Sequence, residues 1–298
     1  MISAMDLDAD KLELLDAMLV EYTDDLRTAG EEDAAVTLAY THGVHRLWRQ
    51  VVRMLPLPAG DSVLDVGTGF GILPFELAAN VAVRAAGVDH NEQYIEHALE
   101  LRARLAAQDL LDPGSDVSLF AGDACDLQFA DGSFDLVFMR EVLQFIPEPV
   151  AALSELYRVL RPGGFACVGD TDDQLWITWP PPSPALSRLV GAVAAVQHAQ
   201  GGDRQSGRKL TSHLRAAGFK INSLVVLPEA QHRVVEADDV ERSLIIEQLR
   251  AARGRVFSEG VTDVHSFDAD LDELEREEPF EEFRLNAKII VLAERLAQ

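Results

Sequence analysis

A doubly wound α/β fold is what this chain of 298 residues predicts, and three observations carry the prediction. Between residues 60 and 170, short apolar runs suited to strands alternate with stretches of helical spacing, the order that gives a parallel sheet covered by helices. Gly67, Gly69 and Gly71 form a G-x-G-x-G turn between the apolar run Ser62 to Val66 and the helix-compatible segment Ile72 to Asn80. Strand, glycine turn and helix in that order make a nucleotide-type binding device, because glycine tolerates positive φ and lets the backbone approach a ligand closely. The next apolar run, Arg84 to Asp89, ends in an acid eighteen residues after Gly71. A carboxylate there can accept both hydroxyls of a ribose.

The elements follow in order. Residues 7–29 read as a helix with Leu14, Leu15, Met18 and Leu19 on one side, stopped by Gly30. Residues 31–55 read as a second, with Val44, Leu47, Trp48, Val51, Val52 and Leu55 on an inward stripe. This pair is expected to form a helical lid, residues 1–58, over a unit that begins near residue 60 with its own core; Pro56 and Pro58 punctuate the boundary. The nucleotide-binding unit, 59–228, has strands at 62–66, 84–89, 116–121, 134–139 and 164–170, with helices at 71–80, 91–107 and 148–160. Residues 171–184, with four prolines, read as a structured loop; helices at about 184–200 and 206–217 and a sixth strand at 221–227 complete the unit. The remainder, 229–298, reads as an acidic helical segment and a final strand completing the sheet: a helix at about 237–253, a solvated acidic stretch from Asp268 to Glu282, and a strand from Arg284 to Leu296.

Composition narrows the function classes. The formal charge is −24, from 50 acidic and 26 basic residues. That argues against nucleic acid or an anionic membrane as partner, since phosphates need Lys and Arg for counterion release. Two cysteines, Cys125 and Cys167, make no C-x-x-C pair, so no metal site or disulfide framework is expected. No run approaches a membrane span and residues 1–10 lack the pattern of a signal peptide, which points to the cytoplasm.

Five motifs in register give the chain a resemblance. Val63 to Gly71, Gly87-Val-Asp-His90, Ala121-Gly-Asp-Ala124, Ser133-Phe-Asp-Leu-Val137 and Arg158-Val-Leu-Arg-Pro-Gly-Gly-Phe165 are similar, in order, to the motifs of class I S-adenosylmethionine-dependent methyltransferases. The resemblance runs from about residue 60 to 220 and resumes at 284–296. With Ile at position 72, the third glycine arrives one residue early for a nicotinamide enzyme. The resemblance implies a Rossmann-like sheet of seven strands, the last antiparallel between the fifth and sixth, and S-adenosylmethionine as cosubstrate.

It also implies residue roles. Gly67, Gly69 and Gly71 would line the methionine and ribose portion of the cosubstrate. Asp65 would orient the turn or meet the amino group through water, or else cap the turn. Asp89 would take the ribose. His90 would flank the adenine or simply enter the following helix. Asp123 and Ala124 would meet the adenine edge, unless Asp123 forms an Asx turn. Arg140 and Glu141 lie past the fourth strand, beside the methionine moiety, where a plain salt bridge is the alternative. Relatives often carry an imidazole shortly after this strand; here Leu143, Gln144 and Phe145 stand there.

Methyl transfer needs alignment and exclusion of water more than it needs catalytic groups, although an oxygen or carbon acceptor can require a base. Tyr40, His42 and His45, at the start of the second helix's apolar stripe, are the candidate bases, against packing or solvated roles. Gln144, Trp176 and Trp179 are candidates for the substrate pocket; flat apolar walls suit an aromatic or isoprenoid acceptor, and both tryptophans have a core role as the alternative. Gly201-Gly-Asp-Arg-Gln-Ser-Gly-Arg208 resembles an element of some bacterial small-molecule methyltransferases, or a capped turn with Ser206 starting a helix. Arg140, Arg204, Arg208 and Lys209 are the basic residues that a phosphate-bearing acceptor would use. The sequence thus points to methylation of a small molecule, with a neutral or cationic, largely apolar acceptor expected. Alternatives are a non-catalytic cosubstrate-binding partner protein or an aminopropyltransferase. The oligomeric state is left open, a homodimer being compatible.

Overall fold

The computed structural model describes residues 7–55, 57 and 60–297. Pro56 and Pro58, read as boundary signals, lie outside the described residues. Helix α1, Ala9–Ala29, starts where the Asp8 carboxylate accepts from the N–H groups of Asp10 and Lys11, and ends where Gly30 turns left-handed at φ 82°. Helix α2, Glu32–Val52, runs back along it. Then follow β1 (Ser62–Val66), α3 (Ile72–Asn80), β2 (Arg84–Asp89), α4 (Glu92–Ala107), β3 (Asp116–Ala121), β4 (Phe134–Arg140), α5 (Pro149–Val159) and β5 (Leu160–Thr171). A short strand β6 (Ile177–Trp179) precedes α6 (Pro184–Ala199), α7 (Ser206–Ala216), β7 (Lys220–Val235), α8 (Val240–Ser258), α9 (Val264–Glu275) and β8 (Phe280–Glu294).

The sheet runs β3-β2-β1-β4-β5-β8, with β7 on the far side of β8. Strands β1 to β5 are parallel, and β8 is antiparallel to both β5 and β7. The chain order therefore reverses between β1 and β4, the place where an open parallel sheet leaves a crevice at the carboxyl ends of its strands. The seven expected strands are present, and two differences extend them. Strands β7 and β8 continue as a two-stranded ribbon beyond the end of β5, pairing as far as Val235 with Phe280. On that extension β6 pairs with Phe283 to Leu285, inside the segment read as a loop; Ile177, Thr178 and Trp179 are β-branched or aromatic and suit a pleated edge.

One face of the sheet packs against α1, α2, α3 and α4 in a single core that includes Leu15, Leu19, Tyr22, Trp48, Phe70 and Phe75. The expected division near residue 59 is thus not a division of the core: α1 and α2 share it with the sheet. The other face packs against α5 and α7 through residues such as Leu153, Leu156, Leu210 and Leu214. A third cluster joins α6, α8 and α9. The acidic stretch is therefore not wholly a solvated surface. Phe267, Leu271 and Leu274 recur at helical spacing and are buried in α9 while Asp272 and Glu273 between them face outward. Among the described residues no helix is long and apolar enough to cross a membrane.

Candidate functional site

The glycine turn sits at the crevice. Gly67, Gly69 and Gly71 all have positive φ, at 75°, 54° and 74°. At Gly67 a Cβ would lie 2.1 Å from Val142 Cγ2, so only glycine fits. At Gly69 nothing lies within 4 Å of the Cβ position. This is the open cradle in which a ligand's backbone approach is unobstructed. The turn is tied down from both neighbouring strands. Gly67 and Thr68 N–H groups donate to Val88 O at 2.8 and 3.0 Å. Thr68 Oγ1 donates to Asp65 Oδ2 at 3.0 Å, and the Gly69 N–H donates to Asp89 Oδ2 at 2.8 Å.

Asp89 is buried at the end of β2, and its other oxygen accepts from the Asn91 N–H at 3.0 Å. Each carboxylate oxygen has two lone pairs, so Asp89 holds the turn and keeps capacity for two ribose hydroxyls. An adenosyl group fits these residues: an unobstructed glycine, a carboxylate with spare lone pairs, and the end of β3 beside them. There, Asp123 Oδ1 accepts from the Cys125 N–H at 2.8 Å. That Asx turn fixes the backbone of Ala124 and leaves Oδ2 outside it. His90 is exposed, with Nδ1 3.4 Å from Asp89 Oδ1.

Behind the turn runs a buried chain of polar side chains. Both oxygens of Asp65 are engaged: Oδ2 by Thr68 and by Arg140 Nη2 at 3.0 Å, and Oδ1 by Arg140 Nε at 3.4 Å. Asp65 therefore orients the turn. Arg140 Nη1 donates to His45 Nδ1 at 2.9 Å, and its guanidinium lies 5.7 Å from the ring centre of Trp48. His45 Nε2 is 3.0 Å from Glu76 Oε2. Arg49 Nε donates to the same oxygen at 2.6 Å, and its Nη1 and Nη2 reach the Asp16 carboxylate at 2.9 and 2.7 Å. His42 Nε2 meets Asp16 Oδ1 at 2.7 Å. Burial raises the Asp16 and Glu76 carboxyls, but hydrogen bonds and charges of His42 and Arg49 on one, and of His45 and Arg49 on the other, carry both below the usual carboxylate range. His42 and His45 thus face α1 and α3, and the structure brings neither imidazole together with Tyr40.

Tyr40 instead belongs to a second cluster at the mouth. It leaves 43% of its surface exposed; burial pushes its hydroxyl above the usual range, and the charges of Lys288, Glu141, Arg204 and Asp173 act on it. Lys288 Nζ donates to Glu141 Oε2 at 2.9 Å. Glu141 has a left-handed backbone at φ 58°, a strained conformation for a non-glycine residue and one concentrated at functional sites. Its Oε1 is buried without a hydrogen-bond partner. Asp170, at the end of β5, is fully buried and accepts from the N–H groups of Gln144 and Thr171 at 2.8 and 2.7 Å. Burial, then the charge of Glu141, push its carboxyl up to about 8.

Gln144 is a buried wall: its carbonyl accepts from Gln197 Nε2 and the Asp203 N–H, both at 2.8 Å. The glycine-rich element at 201–208 packs here. A Cβ at Gly202 would be 2.6 Å from Gln144 O, and one at Gly207 2.9 Å from Asp170 O. Trp176 and Trp179 are 51% and 71% exposed, which removes the core role; the Arg284 guanidinium lies 6.0 Å from the Trp176 ring centre.

Sequence reasoning missed Glu76, Arg49, Asp16 and Lys288. A signal existed for two of them: Glu76 is the one acid in the apolar helix Ile-Leu-Pro-Phe-Glu-Leu-Ala-Ala, and Lys288 the one cation in the strand segment Ala-Lys-Ile-Ile-Val-Leu-Ala. A charge in a segment otherwise bound for the core demands a partner.

Comparison with known proteins agrees with this geometry. Residues 64–168 match a family described as a methyltransferase domain. The chain is 34% identical to 27-O-demethylrifamycin SV methyltransferase of Amycolatopsis mediterranei (strain S699), over 47% of this chain and 48% of that protein. It is 31% identical to the ubiquinone/menaquinone biosynthesis C-methyltransferase UbiE of Roseobacter denitrificans, over 58% of this chain and 67% of that one. The chain spans about half the length of the first curated relatives it matches, 48%, 49% and 50%. Among solved structures, the [4+2]-cyclase SpnF superposes with a TM-score of 0.54 at 20% identity, covering 85% of this chain and 82% of that one. That likeness concerns the fold alone.

Proposed function

Because this chain belongs to the class I S-adenosylmethionine-dependent methyltransferases, we propose that it binds S-adenosylmethionine across the ends of β1, β2 and β3 and methylates a small molecule held at the ends of β4 and β5. The observation that carries the reading is the glycine turn: Gly69 is open on its Cβ side and its N–H is held by Asp89, which keeps lone pairs for a ribose. Asp65 and Arg140 hold the turn from behind. Asp123 shapes the loop whose Ala124 backbone would meet the adenine edge. S-adenosylmethionine, when bound, supplies a methyl group already activated on a sulfonium sulfur. The protein's own work is then to align the acceptor and keep water out, a task in which α2, which carries Tyr40, would take part.

On the acceptor side, Tyr40, the Glu141–Lys288 pair and Asp170 are the polar groups, and the exposed faces of Phe145 and Trp176 offer apolar surface. Relatives named for 27-O-demethylrifamycin SV and for demethylmenaquinone support a small-molecule acceptor. The formal charge of −24 supports a neutral or cationic acceptor over a polyanion, and a cytoplasmic setting is part of the same reading.

The test has two stages. Calorimetry should show S-adenosylhomocysteine binding, and methyl-labelled S-adenosylmethionine should label phenolic or quinol acceptors in preference to phosphorylated ones at low and high salt. Absence of binding defeats the proposal. Binding without transfer to any acceptor would favour the non-catalytic partner reading, and a salt-sensitive preference for nucleic acid would replace the acceptor class.

A further inference from the structure

We propose that His45 is a positioning residue for the cosubstrate site: as a neutral imidazole bridging Arg140 and Glu76 it fixes the guanidinium that holds Asp65 and the glycine turn, so cosubstrate affinity is set from helix α2. The inference rests on the reading that the turn holds S-adenosylmethionine.

The partners decide the state of the ring. An arginine guanidinium only donates, so His45 Nδ1, 2.9 Å from Arg140 Nη1, accepts. The ring proton is then on Nε2, which donates to Glu76 at 3.0 Å. Neither side leaves the imidazole free to take a proton from a substrate. The side chains of His45, Glu76 and Asp65 are 2%, 1% and 2% exposed, so the relay is shielded from water and each member depends on its neighbours. Arg140 is gripped on three sides, by Asp65, by His45 and by the Trp48 ring. Trp48 is itself seated where Gly169 leaves room, a Cβ there falling 2.2 Å from its ring. His45 and Trp48 lie three residues apart on α2, so one turn of that helix sets the position of Arg140.

Protonation would reverse the contact. A second N–H on Nδ1 would point at the Arg140 N–H, donor against donor and cation against cation. The charged groups around the ring are Glu76 from α3, Arg49 from α2, Arg140 from β4, Asp65 from β1 beyond Arg140, and Asp16 from α1 beyond Arg49, itself bonded to His42. Burial lowers the His45 pKa, Arg140 and Arg49 lower it further, and Glu76 opposes them without prevailing. The neutral, relay-competent ring therefore prevails at neutral pH and is lost only in acid.

The experiment is calorimetric titration of S-adenosylhomocysteine into the wild type, His45→Gln and His45→Leu, from about pH 8 down to about pH 6.5, a window in which ordinary carboxylates stay ionised. Glutamine offers one acceptor and one donor and does not titrate. Because the His45 pKa lies below its ordinary value, wild-type affinity should change by no more than about twofold across this window. His45→Gln should stay within about threefold of the wild type, and His45→Leu should be weakened about tenfold or more at every pH, as for loss of one hydrogen bond to a charged group. Thermal unfolding of each variant identifies a folding defect; if His45→Leu does not fold, the affinity of His45→Gln and the wild-type pH profile decide. Unchanged affinity in a folded His45→Leu protein, about tenfold weakening in a folded His45→Gln protein, or a wild-type affinity that falls about tenfold by about pH 6.5, overturns the relay alone. A wild type that binds no S-adenosylhomocysteine overturns the proposed function and this inference with it.

Discussion

Asp89→Asn is the sharpest test of the cosubstrate site, because the structure assigns both carboxylate oxygens before any ligand enters. Oδ2 accepts the Gly69 N–H at 2.8 Å and Oδ1 the Asn91 N–H at 3.0 Å. An asparagine has one oxygen, so its amide nitrogen must face one of these two N–H donors. If it faces Asn91, the start of α4 loses an anchor; if it faces Gly69, the turn loses its tie to β2. In either orientation one ribose hydroxyl meets a donor in place of a charged acceptor. Each lost hydrogen bond to a charged group costs roughly 1.5–3 kcal/mol, so one ribose contact and one turn contact together cost about 3–6 kcal/mol. That corresponds to a rise of about two to four orders of magnitude in Kd. The assay is calorimetry with S-adenosylhomocysteine on a variant shown by circular dichroism and a cooperative thermal transition to be folded at the assay temperature. A Kd within about threefold of wild type, less than half the cost of one such bond, would refute the ribose assignment.

Other perturbations read different parts of the structure. Gly67→Ala should lower both Tm and S-adenosylhomocysteine affinity, because its Cβ would lie 2.1 Å from Val142 Cγ2 at a φ of 75°; adding Val142→Ala should restore part of the loss, and no rescue would place the damage in backbone strain alone. Deleting residues through Gly30 removes Leu12, Leu15, Met18, Leu19, Tyr22 and Leu26 from the shared core, at about 1.5–3 kcal/mol for each large apolar side chain. The gross loss is comparable with a whole domain's net stability, so cooperative unfolding should vanish; a normal calorimetric transition in the truncated protein would show that the sheet carries its own core. Asp170 has a folded pKa of about 8 against an ordinary value of 3.8, so its contribution to stability is full below about 3.8 and is lost as pH rises through about 8. The stability of Asp170→Asn relative to wild type should therefore climb across that window in denaturant titrations, and a pH-independent difference would contradict a neutral Asp170.

The sheet was legible because its signals are local. Each strand from β1 to β4 is a short apolar run bounded by turn residues, and the boundaries read at 62–66, 84–89 and 116–121 coincide with the observed strands. The ribbon beyond β5 was not, because Glu229 to Val235 and Phe280 to Phe283 alternate with charged residues and become strands only by pairing with each other. Helix α9 was hidden for a related reason: the density of acids outweighed Phe267, Leu271 and Leu274, although their spacing marks a buried stripe. At the site, the motifs point to Asp65 and Asp89 but not to the side chains packed against them. Asp65 and Asp89 stand at fixed places in a turn. Glu76, Asp16 and Lys288 matter through contacts with residues 27, 33 and 147 positions away in sequence, and one sequence shows no such pairing.

The basic residues near the mouth show how far net charge can mislead in either direction. Read as a sequence, Arg140, Arg204, Arg208 and Lys209 could assemble a patch for a phosphate despite the overall charge of −24. Folded, each already has a carboxylate. Arg140 holds Asp65. Arg204 Nη2 reaches Asp173 Oδ1 at 2.8 Å, Arg208 Nη2 reaches Asp172 Oδ1 at 2.7 Å, and Lys209 pairs with Asp203. Asp172 and Asp173 follow directly on the β5 end where Asp170 is buried, and Gly207 lies against the backbone there, so these pairs fasten α7 to the floor of the mouth. A phosphate would have to displace carboxylates whose partners also secure the fold. The same pairing explains why the element at 201–208 combines glycines with charges: the glycines allow backbone contact with Gln144 and Asp170, and the charges lock that contact in place. Near the ends of β4 and β5 these pairs leave Tyr40 and the exposed faces of Phe145 and Trp176, which supports the proposed uncharged acceptor over a polyanion.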